Sequence, residues 1–119
     1  MTQEQIEGNK IIAEFMEGSL VKDHSILDDD KGATWMRLKR YEVGKFGYYE
    51  INDLKFHSSF DWLMPVVEKI GKLSPFTIYE KGMRISDAGV VCKLYDSLIE
   101  NIWNAVILYI KFYNQNKQQ

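Results

Sequence analysis

His57, Ser58, Ser59 and Asp61 put the residue types of a hydrolytic site within five positions. A triad needs serine, imidazole and carboxylate aligned through successive hydrogen bonds, a geometry that near neighbours in sequence seldom reach. The nucleophile-elbow pattern GxSxG is also missing from the chain. Capping of a helix start accounts for these residues better. No catalytic residue is assigned, and the chain is expected not to be an enzyme.

Asp28, Asp29 and Asp30, followed by Lys31 and Gly32, offer the hard oxygens that calcium and magnesium prefer. An EF-hand loop spaces its ligands at alternate positions and ends on a glutamate at the twelfth, and counting from Asp28 finds neither. The run reads as a solvated loop. His24 has no second histidine or cysteine at ligand spacing, and the single Cys92 forms no CxxC pattern and no intramolecular disulfide. The phosphate-cradling patterns GxGxxG and GxxxxGK[ST] are absent as well. No metal and no cofactor are expected.

Residues 34–43, TWMRLKRYEV, alternate as a strand does, with Met36 and Leu38 on one side and Trp35, Arg37, Lys39 and Tyr41 on the other. Two cations and two aromatics on one face can hold phosphates and stack bases. The competing reading packs Trp35 and Tyr41 beneath the apolar stems of Arg37 and Lys39, or against a helix. Trp35, Arg37, Lys39 and Tyr41 are thus the candidate ligand-binding residues.

Charge balance limits the partners. With 15 basic and 17 acidic residues the net charge is −2, so the whole molecule has no field that draws it to nucleic acid or anionic lipid. A length of 119 residues with 45% hydrophobic content fits one folded domain, expected over residues 1–116 with a frayed polar tail at 117–119. The first residues lack a basic segment followed by an apolar run, and the most apolar window is far shorter than the ~20 residues that span a bilayer. A cytoplasmic protein with no membrane contact is expected.

The elements that would position these residues follow from periodicity. Thr2 and Gln5 have capping-box spacing ahead of an apolar stripe of Ile6, Ile11, Ile12, Phe15 and Met16, with Gly18 as a left-handed cap. Residues 19–32 read as loop. Residues 44–47 can turn the chain, and Tyr48, Tyr49 and Ile51 can pair back as a hairpin of undetermined register. Ser58 and Asp61 mark a second helix, in which Pro65 predicts a kink or a broken first turn. Residues 76–79 and 83–85 are short strands turning at Lys81 and Gly82, and residues 89–95 are ambiguous between strand and helix.

Residues 97–113, SLIENIWNAVILYIKFY, carry the densest set of large apolar side chains at helical spacing. Their arc is wide: Trp103, Ile107, Ile110 and Tyr113 adjoin a face of Leu98, Ile102, Ala105, Tyr109 and Phe112. Either the helix is buried within one subunit, or the surplus arc forms a homodimer interface through Trp103, Ile107, Ile110 and Tyr113.

Three blocks, NKIIAEFMEG at residues 9–18, FHSSFDWLMPVVEKIGKL at 56–73 and IWNAVILYIKFYNQN at 102–116, resemble a family of small proteins from phages and from prophages of gut bacteria. Phe56 and Phe60 stand where that pattern usually has tyrosine and tryptophan, which keeps the aromatic character. The resemblance implies a small α/β sandwich similar to the phage ABA-sandwich proteins, encoded among accessory genes, and brings no catalytic residue with it.

The expected fold is therefore α+β: a two-layer or αβα sandwich of about three helices and a mainly antiparallel sheet of three or four strands, with the C-terminal helix central. The expected function is a non-enzymatic accessory protein that binds another protein, inside the host bacterium if phage-derived. The alternative is a small-ligand or nucleotide-sequestering protein.

Overall fold

The structure is a computed structural model and describes residues 2–21, 35–39, 46–79, 82–85, 90–91 and 97–117. The fold is α+β: among the described residues there are three long helices and six short strands, paired antiparallel in two three-stranded sheets. The chain falls into two compact units, Met1–Leu54 and Lys55–Gln119.

In the first unit, helix α1 (Gln3–Phe15) begins as its sequence predicts. The Thr2 hydroxyl accepts from the Gln5 backbone N–H, and the Gln5 side chain accepts from the Thr2 N–H, each at 3.1 Å. Two of the four orphan amides of the helix start are thereby satisfied. Ile12, Ala13 and Phe15 are buried, whereas Ile6, Ile11 and Met16 of the expected stripe are half-buried. Asn9 is fully buried and donates from Nδ2 to the Leu54 carbonyl at 3.0 Å. That bond ties the helix to the turn Ile51–Asp53, which packs on it.

The helix ends in a Schellman motif. Glu17 N–H donates to the Glu14 carbonyl at 3.1 Å, and Gly18 N–H to the Ala13 carbonyl at 2.7 Å. The left-handed residue is Glu17, at φ 67°, and not Gly18 as the sequence leads one to expect. Glycine is needed at 18 for another reason: a Cβ there would lie 2.7 Å from the Ala13 carbonyl oxygen.

Strand β1 (Ser19–Leu20) follows directly, where the sequence predicts loop. Its pairing with β2 (Trp35–Lys39) supplies the partner that a two-residue strand cannot provide for itself. Strand β3 (Phe46–Glu50) closes the sheet in the order β1-β2-β3, and Gly47, expected in a turn, lies within it. Met36 and Leu38 are buried on the inner face, as their alternation predicts.

In the second unit, helix α2 (Phe60–Leu73) buries Trp62, Leu63, Val66, Val67 and Ile70, a stripe spaced one, three and four residues apart. Its N-cap is Ser59, without a side-chain cap bond, and not Ser58. The Ser58 and Ser59 amides both donate to the Lys55 carbonyl, at 3.1 and 2.9 Å, so a turn enters the helix one residue later than the capping-box reading has it. The helix runs unbroken through Pro65, although the proline can donate nothing to the Asp61 carbonyl. Phe56 meets Trp62 edge-on, with ring centroids 5.3 Å apart.

Strands β4 (Thr77–Tyr79), β5 (Gly82–Ile85) and β6 (Val90–Val91) form the second sheet in that order. Helix α3 (Leu98–Lys117) packs on β5, β6 and α2, which makes it the central element of this unit. The helix continues through Asn116, whose side chain donates to the Phe112 carbonyl at 2.9 Å, into the segment expected to fray. Ser74, the C-cap of α2, and Tyr109 of α3 share a buried hydroxyl hydrogen bond of 3.0 Å. Residues 80–81, 86–89 and 92–96 lie outside the described residues, so of the ambiguous stretch 89–95 only Val90–Val91 is seen, and it is strand.

Candidate functional site

Two candidate surfaces follow from the sequence, and the structure treats them differently. On α3, Trp103 is 4% exposed, Ile107 9% and Ile110 0%, and Tyr113 is half-buried. Three of the four residues expected at a dimer interface are thus buried within the chain. Strands β5 and β6 together with α2 cover more of the helix than one sheet would. Leu98, Leu108 and Phe112 are the exposed large apolar residues of α3.

The face built on β2 is exposed in part. Alternation along the strand places Trp35 and Arg37 opposite in sense to buried Met36 and Leu38, and the side chain of Lys39 lies outside the described residues. Register adds residues that the sequence could not assign to this face: Arg37 stands across from Ser19 on one side and Tyr48 on the other, and Trp35 across from Glu50. Directly opposed side chains in such a pair have Cβ atoms about 4.5–5.5 Å apart, within contact range for a guanidinium and a phenol. Ser19, Arg37 and Tyr48 are all exposed, Tyr48 at 42%, so the middle row of the face meets solvent. Tyr41, the fourth expected member, lies outside the described residues.

Trp35 is half-buried, and its indole Nε1 is a buried donor with no hydrogen-bond partner among the described residues. Leaving such a donor unpaired costs about 1–3 kcal/mol. Trp35 is thus partly covered, while Arg37 and Tyr48 are exposed. A planar guanidinium flanked by aromatic rings can grip a carboxylate or phosphate bidentately and can stack. Glu50, beside Trp35, makes the same surface anionic at one end. The signal that could have identified Tyr48 and Glu50 is their own alternation, but it needed the hairpin register to say which face they share.

His57, Ser58, Ser59 and Asp61 sit on the turn into α2 and its first residues. Burial of the half-buried His57 disfavours the imidazolium and lowers its pKa from the ordinary 6.5. Ser58 and Asp61 are exposed. Among the described residues no three histidine, cysteine, aspartate or glutamate side chains gather as a metal site. His24, Asp28, Asp29, Asp30 and Cys92 lie outside the described residues. Among the described residues, too, no helix is long and apolar enough to cross a membrane. No family model, curated protein or solved structure matches this chain.

Proposed function

We propose that this chain is a non-enzymatic accessory protein of phage or prophage type, which acts in the cytoplasm of a host bacterium by binding another protein through the outer face of β1-β2-β3. One observation carries the choice of surface: Arg37 and Tyr48 stand opposite each other and exposed, beside a half-buried Trp35. Arginine, tyrosine and tryptophan are the residues that most often dominate interface energies, because each combines a large contact area with a directional polar group. The resemblance of residues 9–18, 56–73 and 102–116 to phage proteins supports the accessory role.

The test is a double variant, R37E with Y48A, compared with the wild type by cross-linking and affinity capture from host lysate. A specific partner is expected with the wild type and lost with the variant, while circular dichroism shows both folded. A partner captured equally by both would remove this face from the proposal. A second reading, a sequestered nucleotide, is favoured by the cation beside aromatic rings. It predicts a thermal shift of the wild type with at least one member of a nucleotide panel, abolished in R37E.

A further inference from the structure

We draw no further inference here: the strongest candidate, the exposed apolar residues Leu73, Leu108 and Phe112 that adjoin the buried Ser74–Tyr109 hydrogen bond in the second unit, is a surface patch for which nothing in the structure shows what covers it.

Discussion

Replacing Glu17 by glycine should make the protein more stable, although the residue is exposed and the substitution removes a side chain. Glu17 holds φ at 67° in the position of the Schellman motif where glycine is usual. For an L-residue the left-handed region costs about 1–2 kcal/mol, from the approach of Cβ to the following carbonyl. Glycine avoids that cost but loses about 0.4–1 kcal/mol through the greater freedom of its unfolded chain. The difference favours E17G by about 0.5–1 kcal/mol, or about 2–4 °C for a chain of this size. The substitution also removes a negative charge from the end of a helix whose last turn has no basic residue. E17A separates the two effects, since alanine loses the charge and keeps the strained backbone. Urea denaturation followed by far-UV circular dichroism would rank the three proteins. If E17G is no more stable than E17A, Glu17 does not hold the left-handed conformation.

Other predictions follow from single contacts. W103A should lose about 3–5 kcal/mol of stability at any protein concentration, because Trp103 is buried in the chain's own core; a loss seen only as dissociation would return it to a dimer interface. Y109F and S74A should each cost about 0.5–3 kcal/mol, and the double variant less than their sum, since both remove the same buried hydroxyl pair. His57 makes stability depend on pH with a definite sign. Its folded pKa lies below 6.5, so the unfolded chain takes up the proton first. Stability contributed by the neutral imidazole is complete above that value and declines as pH falls toward the folded pKa. H57Q should lose less stability than the wild type between about pH 7.5 and about pH 5.5, and equal losses would contradict the burial of the ring.

Local signals in the sequence located elements well and boundaries less well. The Thr2–Gln5 capping box, the inward alternation of Met36 and Leu38 and the apolar helix of residues 97–113 all depend on side chains a few residues apart, and all are found. The cap at Glu17 and the N-cap at Ser59 each miss the expected residue by one, because the closing backbone bonds, to Ala13 and to Lys55, decide where a helix ends and neither is visible in side-chain type. Two features were not legible at all. Ser19–Leu20 is strand only because β2 lies beside it, and the sequence around Leu54 and Lys55 has no glycine or proline to mark the division between units. The site shows the same limit: Trp35 and Arg37 announce themselves by alternation, whereas Tyr48 and Glu50 join them through pairing across a hairpin.

The three tryptophans are divided unequally between the two units, Trp35 in the first and Trp62 and Trp103 in the second. Trp62 and Trp103 are buried, and Trp35 is half-buried with a buried indole nitrogen. Intrinsic fluorescence therefore reports on both units at once in the natural protein. Substituting phenylalanine for Trp35 would leave an emission that belongs to residues 55–119 alone, and keeping Trp35 while replacing the other two would give the opposite reporter. With such a pair, melting of each unit can be followed in the intact chain by the red shift of its own indoles, without cutting the protein or attaching a dye.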